Sequence, residues 1–198
     1  MLTKIRQRRA LVAKELSSAA AGCSPEPPFE KEQKLTDSTQ PQAQQSPTPD
    51  PALARLADLV GTWTIKGRPL GADEDNIRGE TTFAWLEGEQ ETSFFLTQDM
   101  EMDYDGQKIR SHELIGYDPK AGTFASLVFS NMAPDPWPYE WDVDGDDITI
   151  SIHKAPMDAT FTGKFAPDRQ SFSGGWRPAP GADKAVNAPY DLVATRSG

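Results

Sequence analysis

Glu113 and Gln98 are the residues of this 198-residue chain whose surroundings most invite chemistry. Asp105-Gly106 suits a two-residue hairpin loop with positive φ, and turn geometry fixes the register of the strands that flank it. One face of the hairpin then carries Met102 with Ile109, Met100 with Ser111, Gln98 with Glu113, Leu96 with Ile115, and Phe94 with Tyr117. The other carries Glu101 with Arg110, Asp99 with His112, Thr97 with Leu114, and Phe95 with Gly116. The second face holds the opposite-charge pairs and the first is mostly apolar, so the first should point inward. A carboxylate buried in apolar surroundings has a raised pKa unless it is paired. Polar groups in an otherwise apolar cavity orient a bound ligand, and such a carboxylate can also serve as a general base. The plainer reading is that Gln98 and Glu113 hydrogen-bond each other, or an ordered water, in a filled core.

Other groupings carry less chemistry. Asp142-Val143-Asp144-Gly145-Asp146-Asp147 resembles the start of a calcium loop, but an EF-hand needs glycine at its sixth position and a bidentate Glu at its twelfth, where this chain has Asp147 and His153. A tight acidic hairpin turn is expected there, and Asp73-Glu74-Asp75 reads as a solvated loop at a barrel mouth. Ser173 lies in Ser171-Phe172-Ser173-Gly174-Gly175-Trp176 without the Gly-x-Ser-x-Gly elbow of a nucleophile. There is neither a P-loop nor a dinucleotide fingerprint. No catalytic residue, metal ligand or cofactor is assigned.

The elements that must position Glu113 are short strands. Runs of β-branched and aromatic residues recur at roughly ten-residue spacing between Gly, Asp, Asn and Pro, the pattern of an all-β sandwich or barrel. Strands are predicted at 61–68, 77–86, 90–102, 108–117, 123–131, 137–143, 146–153, 159–166, 171–177 and 190–196. Only Pro51–Val60 has helical spacing, through Leu53, Leu56, Leu59 and Val60, and reads as a short helix that plugs or lids the barrel. A loop from Asp118 to Thr123 places Phe124, Ser126, Val128 and Ser130 inside. A two-residue loop at Glu87-Gly88 adds Trp85, Phe83 and Thr81. Leu127, Phe129, Leu114 and Phe95 then form an outer apolar patch, a candidate homodimer contact. Trp137, Tyr139 and Trp141 share a face by period-two alternation, read first as core filling and otherwise as cavity wall.

Gly61-x-Trp63 on the first strand, the meander, and Arg196 on the last strand resemble the calycin superfamily of lipocalins, fatty-acid-binding proteins and their bacterial relatives. The resemblance implies that Trp63 closes one barrel end with Arg196 packed over it. "LVGTWTIKG", "FAWLEGEQETSFFLTQ" and "SHELIGYDPKAGTF" look like the bacterial family called domain of unknown function 1579, over roughly residues 52–197. That likeness implies a calycin-like barrel and no established activity. The related nitrobindin-like proteins ligate haem through a histidine late in the barrel. This chain has His112 and His153, and the register places His112 outside, so no haem is expected.

Composition bounds the partners. Residues 1–50 hold seven Lys/Arg and six Asp/Glu, so the formal charge of -10 rests on the remainder, where 13 basic residues face 24 acidic ones. Such a surface repels phosphate backbones, and nucleic acid is set aside. A single cysteine, Cys23, permits neither an intrachain disulfide nor a thiolate metal cluster. No apolar run reaches the length of a transmembrane helix. The first 22 residues begin like an export signal, and Ala21-Gly22-Cys23 resembles a lipoprotein site, but Lys14 and Glu15 interrupt the apolar segment. A frayed amphipathic helix and a cytoplasmic protein are therefore expected, with export or lipid anchoring through Cys23 as the alternative. Seven prolines among Gln, Ser and Thr from Ser24 to Pro51 read as a disordered tether.

The expectation is a disordered tail over 1–50 and an all-β, antiparallel meander barrel of about ten strands over 51–198. The barrel should bind a small, largely apolar, neutral or cationic molecule in its lumen. Phe83, Trp85, Phe94, Leu96, Met100 and Tyr117 would be the walls, and Gln98 and Glu113 the anchors. Two alternatives stand beside it: an isomerase- or hydrolase-type enzyme with Glu113 as general base, and a packed barrel that serves as an interaction module without a ligand.

Overall fold

The structure, a computed structural model, describes residues 47–197. The features expected of the N-terminal tail up to residue 46, including the signal-like segment and Cys23, lie outside the described residues. Asp50 caps the first helix: its side chain accepts a hydrogen bond from the Ala52 N–H (2.9 Å), with Pro51 pre-set for the first helical turn. Pro51–Leu59 is a 3₁₀ helix whose Leu53, Leu56 and Leu59 are all buried. Their strict three-residue spacing fits three residues per turn, which puts all three on one stripe. Among the described residues no helix is long and apolar enough to cross a membrane.

Ten antiparallel strands follow: β1 (Gly61–Pro69), β2 (Ile77–Trp85), β3 (Phe95–Tyr104), β4 (Gln107–Asp118), β5 (Thr123–Ser130), β6 (Trp137–Asp144), β7 (Asp147–Lys154), β8 (Met157–Phe165), β9 (Ser171–Pro178) and β10 (Tyr190–Arg196). Each pairs with its neighbours in sequence, and β10 returns to β1, so the sheet closes into a barrel without edges. The central hairpin has the expected register, from Tyr104 opposite Gln107 to Phe95 opposite Gly116. Asp105 and Gly106 supply the required positive φ, at 49° and 88°. Asp118 meets Thr123, also as expected.

The β2–β3 connection differs from expectation. Residues 86–94 form a loop in place of a two-residue turn, and Trp85 pairs with Leu96, six positions beyond the Gln90 that a turn at Glu87-Gly88 would give it. The loop folds around the buried Ser93. Its Oγ accepts from the Glu87 N–H (3.0 Å), and its own N–H donates to the Gln90 carbonyl (3.3 Å). Six is an even displacement, so the alternation survives and Thr81, Phe83 and Trp85 still face inward. Phe94 does not: it precedes β3, is exposed, and pairs with nothing opposite Tyr117.

The barrel has a packed end and an open end. The 3₁₀ helix caps the packed end over Trp63, whose ring lies 5.1 Å from that of Phe172 and 6.2 Å from that of Phe165, with Leu96, Ile115 and Phe124 filling the same tier. Arg196 stacks its guanidinium on Trp63, 4.2 Å from the ring centroid, and donates to the carbonyls of Val60 (2.5 Å) and Asp58 (2.9 Å). The Trp63 Nε1–H donates to the Leu59 carbonyl (2.7 Å). Gly61 is required between them. Its φ is +126°, and a Cβ there would stand 2.5 Å from Arg196 Nη1. Outside the barrel, Leu127, Phe129 and Phe95 are exposed as the register implied.

Candidate functional site

Above the packed tier the lumen is a cavity of about 140 Å³ that widens into a mouth of about 500 Å³. The two adjoin, with Met100, Met102, Ile109, Trp137, Tyr139, Trp176 and Tyr190 bordering both. The mouth opens between the β3–β4 turn, the β5–β6 loop and the β9–β10 loop.

Glu113 sits on the floor of this space. It projects from β4 with Gln98 of β3 on one side and Val128 of β5 on the other, and only 2% of it is exposed. Two donors converge on its Oε1: the Ser126 hydroxyl at 2.5 Å and the Trp141 Nε1–H at 2.7 Å. Among the described residues nothing donates to Oε2, and Glu113 lines the cavity. Burial pushes the carboxyl up to about 7, against the pull of the Ser126 and Trp141 hydrogen bonds. At neutral pH it is thus divided between an acid that donates and a carboxylate that accepts.

Gln98 does not bond to Glu113. Its Nε2 donates to Thr81 Oγ1 (3.0 Å), which donates in turn to the Asp99 carbonyl (3.2 Å). Gln98 and Glu113 are therefore held separately, each oriented by its own partners. Burial, and next the Glu113 charge, raise the pKa of Tyr139. Burial, and next Tyr104, raise that of Tyr190, so both phenols stay neutral donors on the wall.

Of the eight residues singled out from the sequence, Phe83, Gln98, Met100 and Glu113 line the cavity. Leu96 lies one tier lower, fully buried in the core, and Trp85 packs against the same cluster. Tyr117 also belongs to the packed end, its ring against Phe124 (5.4 Å) and facing the Arg55 guanidinium. Phe94 is in the β2–β3 loop. Trp137, Tyr139 and Trp141, read first as core filling, all reach the cavity.

Sequence reasoning missed Trp141 as the second donor to Glu113, and missed Trp176 and Tyr190 as walls. Trp141 lies 28 residues from Glu113 and two strands away, beyond a β5–β6 loop whose length sets no register. Its inward parity was the one usable signal. The methionines carried another: Met100, Met102, Met132 and Met157 all line the mouth.

Both histidines lie on the outer surface. His112 Nδ1 is 2.7 Å from Asp99 Oδ1 and His153 Nδ1 is 2.8 Å from Asp158 Oδ1, so neither is aimed into the lumen. Gly145-Asp146 is a tight turn between β6 and β7, and its acids pair with bases: Asp142 with Arg55, Asp146 with Arg169, Asp147 with Lys164. Among the described residues no three His, Cys, Asp or Glu side chains converge to hold a metal.

The crystal structure of Rv2717c from M. tuberculosis is similar to this chain, at 19% identity over 76% of this chain and 99% of that one, with a TM-score of 0.46. No curated protein matches the chain. The family model described as protein of unknown function (DUF1579) matches residues 48–176, more than half of the sequence, and includes β3 to β6, which hold Glu113 and its hydrogen-bond partners. The chain belongs to the DUF1579 family.

Proposed function

We propose that this barrel binds a small, largely apolar molecule in its lumen, taken in through the methionine-lined mouth and oriented by Glu113 and Gln98. The observation that carries this reading is Glu113 itself: an almost fully buried carboxyl, fixed through one oxygen, with the other left to a cavity that opens to the surface. Burying such a group is costly unless something pairs with it, and a site that serves only stability would be cheaper filled with an apolar side chain. The methionines suit a wall that adapts to varied apolar shapes. A cavity of this size also speaks against a packed interaction module.

Three lumenal tryptophans provide the test, since Trp137, Trp141 and Trp176 would all lie within energy-transfer range of a fluorophore in the cavity. Titration with the neutral apolar dye prodan, with excitation at tryptophan, should give saturable sensitised emission. Ser130→Trp, which fills the lumen beside Trp137, should abolish it. Absence of saturable transfer, or transfer unchanged in Ser130→Trp, would overturn the reading. An enzymatic reading draws on the same residue, because a carboxyl poised near pH 7 suits a general base. It requires turnover that Glu113→Gln removes while the fold persists.

A further inference from the structure

The lumen is unbalanced in charge. Glu113 is the one carboxylate among the residues that line cavity and mouth, and those residues include no lysine, arginine or histidine. Its partners on Oε1 are both neutral donors, and it takes part in no ion pair among the described residues. A charge that the protein leaves without a counter-charge is a place where a ligand can supply one.

The walls suit a cation. Trp137, Tyr139, Trp141 and Trp176 border the same space, and indole and phenol faces attract ammonium groups. The approach suits one as well. The loops at the open end, residues 70–76, 105–106, 131–136, 155–156 and 179–189, carry six Asp or Glu against Lys184, and remain acidic with the two strand-end bases that reach them, Arg68 on Asp75 (3.8 Å) and Lys154 on the Pro136 carbonyl (2.8 Å). A mouth of that sign draws cations inward and turns away anions such as fatty acids. A carboxylate ligand would in addition meet Glu113 with no base to hold it.

Resting on the lumenal-site reading above, we infer that the ligand is an apolar molecule ending in a protonated amine, with its ammonium on Glu113 Oε2 and its apolar body against the aromatic and methionine walls. The ammonium nitrogen donates to Oε2 while Ser126 and Trp141 keep Oε1 in place. Gln98, tethered to Thr81 through its Nε2, offers its carbonyl oxygen as a second acceptor.

The charge state of Glu113 makes the inference testable. The titratable groups around it are Tyr139 from β6, Tyr190 across the lumen, and His112 on the outward face of its own strand. β3 and β5 present Gln98, Ser126 and Val128, none of which titrates. Both tyrosines stay neutral through pH 8, so Glu113 is the lumenal group that changes charge between pH 5 and 8. An ammonium ligand must drive the proton off Glu113, and its affinity should fall by up to about tenfold per pH unit below 7.

Isothermal titration of the full chain with 2-phenylethylamine, 2-phenylethanol and 3-phenylpropanoate at pH 5, 6, 7 and 8 separates the possibilities. The amine should bind at least tenfold more tightly than the alcohol at pH 8 and lose that margin toward pH 5, and the carboxylate should bind weakest throughout. Glu113→Gln should remove both the amine preference and the pH dependence. Should that variant not fold, the pH series on the unaltered protein carries the test. Amine binding no tighter than alcohol binding, a preference for the carboxylate, or an amine preference that survives in Glu113→Gln overturns the inference. Prodan uptake distinguishes such a result from failure of the lumenal site itself.

Discussion

Glu113→Gln should stabilise this protein in alkaline solution and do little in acid. The folded chain holds the Glu113 proton with a pKa of about 7, against 4.5 for a free glutamate. That difference of about 2.5 units, at 1.36 kcal/mol each, makes about 3 kcal/mol of stability depend on the proton, as an upper bound. The folded value is the higher one, so this stability is fully present below pH 4.5 and lost as pH rises through 7. Glutamine cannot ionise, and its amide oxygen can take the place of Oε1 and accept from both Ser126 and Trp141. The gap between variant and parent should therefore open by about 3 kcal/mol between pH 4 and pH 9. For a domain of this size that is roughly 6–12 °C in Tm, readable by thermal melts followed by circular dichroism. Measuring the gap, rather than either melt alone, cancels the titration of the surface carboxylates that both proteins share. A gap that stays constant across the range would refute the assignment of a raised pKa to Glu113.

The plug and the second donor give two further tests. Gly61→Ala forces a side chain into a positive-φ position and against the Arg196 guanidinium, and should cost about 2 kcal/mol or more, seen as a lower urea midpoint; an unchanged midpoint would mean that the Gly61–Trp63–Arg196 assembly does not hold the packed end. Trp141→Phe removes one of the two donors to Oε1, so the Glu113 carboxyl should titrate still higher, as followed by carboxyl carbon NMR, and a fall would show that the indole does not stabilise the charged form.

Much of this architecture was legible from local chemistry. The hairpin through Asp105-Gly106 fixes ten residue pairs because a two-residue turn with positive φ leaves the strands no freedom to slip. Gly61, Trp63 and Arg196 marked the closure of the barrel through a family resemblance rather than through local chemistry, and Arg196 does stack on Trp63. The β2–β3 loop was not legible. Glu87-Gly88 has the composition of a tight turn, and Gly88 does adopt φ +88°, but Ser93 folds under the loop and delays β3 until Phe95. A buried serine that organises a loop by bonding to its backbone gives no signal in a pattern of apolar alternation.

The candidate walls divide for a reason that applies to any barrel. Which face a side chain occupies depends on the parity of its register, and parity survives an even slip. Its height along the barrel axis depends on the absolute register of every hairpin around the ring, so each loop of uncertain length adds its own error. Seven of the eight singled-out residues lie on inward-facing strand positions, but only Phe83, Gln98, Met100 and Glu113 stand at the height of the cavity. Leu96 and Ile115, one inward pair below Gln98 and Glu113, are fully buried filling. Two residues along a strand, about 7 Å, thus separate solid core from lumen. Glu113 stands on the first step above that floor, close enough to the packed tier to lose its water and high enough to leave one oxygen facing the cavity. Its raised pKa and its availability follow from that one position, which a two-residue change of register in β4 would remove.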